Sequence, residues 1–75
     1  MKMQPGKWYS VAQKVVVRGD PFAEAISICG GYFVGETKCC YKFRGFKLRK
    51  ACTVRIKEDS EEERNLVAFF ENLLK

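Results

Sequence analysis

The spacing of apolar positions changes period along the chain, and those changes mark its elements. From Trp8 to Arg18, Tyr9, Val11, Val15 and Val17 share one parity around a β-branched Val15-Val16-Val17 run, which predicts a strand ending at Gly19. Asp20 and Pro21 then form a helix start: the carboxylate can accept orphan amide protons, and proline suits the first helical position. Phe22, Ala25, Ile26 and Cys29 follow at i, i+3, i+4 and i+7, and Gly30 supplies a stop, so a short helix is expected. The same residues also allow a strand, with Ile26 and Ile28 in alternation. Gly30, Gly31 and Gly35 lack the spacing of a phosphate-cradling loop and read as helix termination and a strand kink.

From Tyr32 the period returns to two. Phe33, Thr37, Cys39, Tyr41 and Phe43 share one parity, and Lys38, Cys40, Lys42 and Arg44 the other. Beyond Gly45 the apolar set is Phe46, Leu48, Cys52, Val54 and Ile56, against Lys47, Arg49, Thr53, Arg55 and Lys57, with Lys50 the one misfit. A reversal at Arg44-Gly45 pairs Phe43 with Phe46, Tyr41 with Leu48 and Thr37 with Cys52 on one face, and sets Lys42 opposite Lys47 on the other. The last segment is an amphipathic helix. Ser60 and Glu63 form a capping box, glutamates occupy the positive end, and Leu66, Val67, Phe69, Phe70, Leu73 and Leu74 make one stripe. The expected fold is α+β: a small antiparallel sheet in the order β-α-β-β-α, with the C-terminal helix packed on one face.

Length and composition narrow this picture. Seventy-five residues, 47% apolar and 31% charged, suit a single small domain over 1–75, with 1–6 expected to be flexible. A chain this short buries only roughly 60% of the surface it exposes when unfolded, so the core is thin and a homodimer is one way to complete it. No stretch reaches the roughly 20 apolar residues of a membrane span, and no signal-type run follows Met1, so no membrane and a cytoplasmic location are expected.

Cys29, Cys39, Cys40 and Cys52 follow no C-x-x-C spacing, and histidine is absent, which argues against a metal site, a cofactor or a catalytic base. Asp20, Glu24 and Glu36 are the only acids before residue 58 and are matched to no nucleophile, so no enzyme is expected. Cys40, between Lys38 and Lys42, has an electropositive setting that favours thiolate, although a half-buried small apolar role is the simpler expectation.

Charge supplies the functional clue. Residues 1–37 are nearly neutral, 38–57 hold eight cations and no acid, and 58–75 hold six acids against two cations. Outward-facing Lys38, Lys42, Arg44, Lys47, Arg49, Arg55 and Lys57 would form a basic hairpin face suited to nucleic acid, DNA or RNA, by neutralising phosphates and releasing counterions. Two other readings weigh against it. Basic residues on an exposed strand also serve simply to block edge-to-edge aggregation, and the acidic start of the last helix can satisfy part of their field. The alternative function is a protein-interaction module, an inhibitor or adaptor of the phage or mobile-element type. It would bind an acidic or nucleic-acid-binding surface of a larger protein, with Trp8 and Tyr9 as anchors.

Overall fold

The structure, a computed structural model, describes residues 2–16, 19 and 24–73. It is an α+β domain: strands β1 (Trp8–Val16), β2 (Glu24–Glu36), β3 (Cys40–Phe43), β4 (Phe46–Arg49) and β5 (Thr53–Glu58), then helix α1 (Glu61–Leu73). A single 3₁₀ turn, Lys50–Cys52, separates β4 from β5. The strands form one antiparallel sheet in the order β4-β3-β2-β1-β5.

The expected helix after Pro21 is corrected over its described part. Residues 24–29 open β2, with Val11 opposite Cys29 and Lys14 opposite Ile26; residues 20–23 lie outside the described residues. Seven or eight residues make a poor helix nucleus, whereas the Ile26/Ile28 alternation gains a full ladder against β1. Gly30 and Gly31 are therefore mid-strand, and neither ends a helix. A Cβ on Gly30 would meet the Trp8 indole and one on Gly31 the Phe46 ring, so each glycine makes room for an aromatic. Gly35 does sit at an irregularity, where the β2–β3 register shifts between Phe33 and Gly35.

The hairpin register matches the sequence reading at Phe43–Phe46, Lys42–Lys47 and Tyr41–Leu48, and sets Cys40 opposite Arg49. Gly45 turns it with φ of 90°, a conformation that suits glycine. The pairing of Thr37 with Cys52 does not form. Thr37 instead caps the start of β3, its Oγ1 accepting from the Cys40 N at 3.1 Å, and Cys52 belongs to the 3₁₀ turn.

That turn shapes the whole sheet. It joins the first and last strands in the order, which in a flat five-stranded sheet would lie about 19 Å apart, with only three residues. Three residues span about 10 Å at most, so the sheet must curl until its edges approach. The Gln13 Nε2 on β1 ties the junction, donating to the Thr53 Oγ1 at 3.2 Å and the Arg49 carbonyl at 3.4 Å. Inside the curl lies the core: Met3, Tyr9, Val11, Phe33 and Phe43, with Tyr41, Leu48 and Ile56 packed against them. Within the segment expected to be flexible, residues 2–6 are described, and they contribute Met3 to this interior and a backbone bond from Gly6 N to the Phe33 carbonyl at 2.8 Å.

Helix α1 lies against β2 and β1 on the other face of the sheet. Adjacent strand residues point to opposite faces, and while Val11 enters the core, Ser10 meets the helix, its Oγ donating to the Glu63 Oε1 at 2.5 Å. The helix therefore covers the outside of the curl and leaves the aromatic interior to the strands. Ser60 caps it as the capping box requires, its Oγ accepting from the Glu63 N at 3.2 Å, but the Glu63 carboxylate turns to the sheet. Val67 is buried and Phe70 half-buried, while Leu66, Phe69 and Leu73 stay exposed. Among the described residues no helix is long and apolar enough to cross a membrane.

Candidate nucleic-acid interface

The basic face is built by what the interior takes. Phe43 and Phe46 stack with ring centroids 5.1 Å apart, and Phe33 meets Phe43 edge-on at 5.7 Å. With that parity turned inward, strand alternation sends Lys42, Lys47 and Arg49 outward, and all three are exposed. Arg44 stands at the turn and Lys38 in the bend before β3, both exposed. Lys42 and Lys47 face each other directly, a like-charge pair that costs a few tenths to about 1 kcal/mol. Among the described residues none of Lys38, Lys42, Arg44, Lys47 and Arg49 makes an ion pair.

Two of the seven cations expected on this face are not on the hairpin strands. Arg55 and Lys57 are on β5, at the opposite end of the strand order from β4. Arg55 is already compensated, its Nη2 donating to the Glu63 Oε1 at 2.5 Å, and Lys57 borders a shallow concavity with Glu58, Asp59 and Glu62. The 3₁₀ turn ends the hairpin after Arg49 and starts β5, whose ladder partner is β1. Lys50, the misfit of the alternation, starts that turn. Its Nζ pairs with the Glu36 carboxylate at 2.5 Å, which holds the ammonium above its ordinary pKa, and lies 5.2 Å from the Tyr41 ring centre.

The two aromatic anchors also have structural work. Tyr9 is 3% exposed, and its hydroxyl accepts from the Gln4 N at 2.8 Å, so it is unavailable to a partner. Trp8 is half-buried, wedged between the Gly30 backbone and the Arg64 guanidinium, which lies 4.8 Å from its ring. Asp59 fixes that guanidinium with two bonds of 2.6 and 2.8 Å, and the pairing holds the Asp59 carboxyl below its usual range.

Tyr32 is an exposed aromatic on the outward parity, 46% exposed, with Val34 beside it at 57%. Phe33 pairs with Phe43, so Tyr32 lies opposite Arg44, whose N donates to the Tyr32 carbonyl at 2.9 Å, and Val34 lies next to Lys42. Tyr32 is the β2 partner of Trp8, the ring that the Arg64 guanidinium covers. Sequence reading passed over both residues, although the parity that puts Phe33 inside puts Tyr32 and Val34 on the same side as Lys42.

The cysteines hold no disulfide. Burial pushes the Cys29 thiol up, with Glu71 adding to the shift, and Cys40 is half-buried opposite Arg49. Among the described residues no three His, Cys, Asp or Glu side chains gather as a metal site would require. No protein-family model matches this sequence, and comparison with curated proteins and with solved structures finds no match for it.

Proposed function

We propose that this chain is a small binding module without catalysis, and that it binds nucleic acid through the exterior of the β3–β4 hairpin. The observation that carries the reading is the direct opposition of Lys42 and Lys47, with no carboxylate paired to either among the described residues. An arrangement that costs stability in the free protein is accounted for when phosphates occupy the face. The cationic set is Lys38, Lys42, Arg44, Lys47 and Arg49, without Arg55 and Lys57.

The test is a titration against labelled single- and double-stranded DNA and RNA at several salt concentrations. Five phosphate contacts give a log-log salt slope of about −4.5 on duplex DNA and about −3.5 on single strands. Absence of binding to all four substrates at low salt removes the reading.

Lys47→Glu separates function from stability by sign. It replaces a repulsive cross-strand pair with an attractive one, so the denaturation midpoint should rise by an amount worth a few tenths to about 1 kcal/mol. Affinity should fall at the same time by roughly fivefold or more at 0.15 M salt, because one phosphate contact is lost and a repulsion gained. Equal affinity for the variant and the natural protein would exclude Lys47 from the interface.

A second reading, a protein-interaction module or a self-associating one, is favoured by the outer flank of α1, where Phe69 and Leu73 are 58% and 63% exposed. It takes precedence if the titration finds no nucleic acid bound.

A further inference from the structure

We infer that the bound form is single-stranded nucleic acid, with Tyr32 as the platform on which an unpaired base stacks; this rests on the reading above and narrows it. The first ground is the shape of the hairpin. The strand element that a major groove admits is a two-stranded ribbon. Here β3 is hydrogen-bonded to β2 as far as the tip, through the Phe33–Phe43 pair and the Arg44 N to Tyr32 carbonyl bond. Strands of four residues, about 13 Å long, present a sheet face and no projecting ribbon.

The second ground is what that face carries. Cations alone suffice for the phosphates of a duplex, whose bases are stacked on one another. A single strand also offers π-faces, and recognition of those uses aromatic side chains set among cations on an open surface. Tyr32 meets that description, exposed between Arg44 and the Trp8 ring that Arg64 covers, with Val34 as an apolar neighbour and Lys42 and Lys47 one step further along the sheet. Of the other aromatics on the hairpin side, Phe33 and Phe43 are buried, Tyr41 is half-buried beneath Lys50, and Phe46, though 37% exposed, lies on the inward parity and is stacked on Phe43.

The experiment measures fluorescence anisotropy of the full chain with a labelled 12-nucleotide strand, as DNA and as RNA, and with the corresponding duplexes. Tighter binding to a single strand of either sugar than to its duplex is expected. Tyr32→Ala should weaken single-strand binding roughly tenfold, and Tyr32→Phe should restore it to within about twofold. Lys42→Ala should weaken single strands and duplexes alike.

Should Tyr32→Ala fail to fold, photocrosslinking of the natural protein to a 5-iodouridine-containing strand gives an independent readout, with adducts expected at Tyr32. Duplex bound as tightly as single strand, single-strand affinity unchanged in folded Tyr32→Ala, or adducts confined to other residues would overturn the inference. The broader reading survives those results so long as Lys42→Ala weakens binding, and falls only if no oligonucleotide binds.

Discussion

Gly30→Ala is expected to lower stability by about 2 kcal/mol, whereas Gly35→Ala should leave it within about 0.5 kcal/mol. Both glycines lie inside β2, so a general strand preference would favour alanine at both. Their surroundings differ. A Cβ at Gly35 meets nothing within 4 Å, but one at Gly30 falls 2.2 Å from the Trp8 Cζ2 and 2.9 Å from its Cε2 and Cη2. The indole has little freedom to retreat, because Arg64 covers it and Asp59 holds Arg64 in place. Relief therefore requires lifting the start of α1 or separating β1 from β2 at the Ser10–Gly30 pair.

In a domain of this size the loss lowers the melting temperature by about 10 °C, readable by circular dichroism. A double-mutant cycle identifies the cause. With Trp8→Leu already present the clash is gone, and Gly30→Ala should cost at least about 1 kcal/mol less than it does alone. Equal costs in the two backgrounds would show that the indole does not set the requirement for glycine.

Gly30 also shows where the sequence stops being legible. Glycine after an Asp-Pro start and an i, i+3, i+4, i+7 pattern is a local signal for a helix end, and nothing near it in sequence announces that a tryptophan 22 positions earlier needs the space. Ile26 and Ile28 carried the strand alternation, but over seven residues it could not outweigh the helix pattern; pairing with β1 decided it. The hairpin was readable because its register is overdetermined. Sliding Phe43, Tyr41, Phe46 and Leu48 by one residue would turn four large side chains to solvent, so the parity fixes which cations point out.

The departure of Arg55 and Lys57 was not readable from parity, which continues unbroken in mean pattern from Phe46 to Lys57. Its one trace was Lys50, a charge on the apolar parity, and the chain leaves the hairpin there. Tyr32 and Val34 were readable in principle. They were passed over because apolar residues at the start of a strand are ordinarily assigned to the core, and a curled sheet has more apolar strand positions than its interior can hold.

Replacing Glu63 with alanine should be the most damaging single change at the sheet–helix junction, at about 3 kcal/mol. The Glu63 side chain is 12% exposed, and one carboxylate oxygen accepts from both the Ser10 Oγ and the Arg55 Nη2, each at 2.5 Å. Removing it strands two groups at once. Ser10 is fully buried and its hydroxyl would lose its acceptor, a penalty of about 1–3 kcal/mol. Arg55 would keep its charge on a side chain about one-third exposed, with its Nε already lacking a partner. Breaking a buried pair from one side costs about 3–5 kcal/mol, and the partial exposure of Arg55 places this case at the lower end.

Ser10→Ala and Arg55→Met in the same chain remove both stranded groups, so adding Glu63→Ala to that background should cost much less than it does alone. Glu63 also precedes Arg64, so loss of its anchor loosens the guanidinium that covers Trp8. Tryptophan emission should therefore shift to the red in folded Glu63→Ala, before any denaturant is added. A variant with the natural midpoint and unchanged emission would mean that the helix is held to the sheet by Val67 and Phe70 alone.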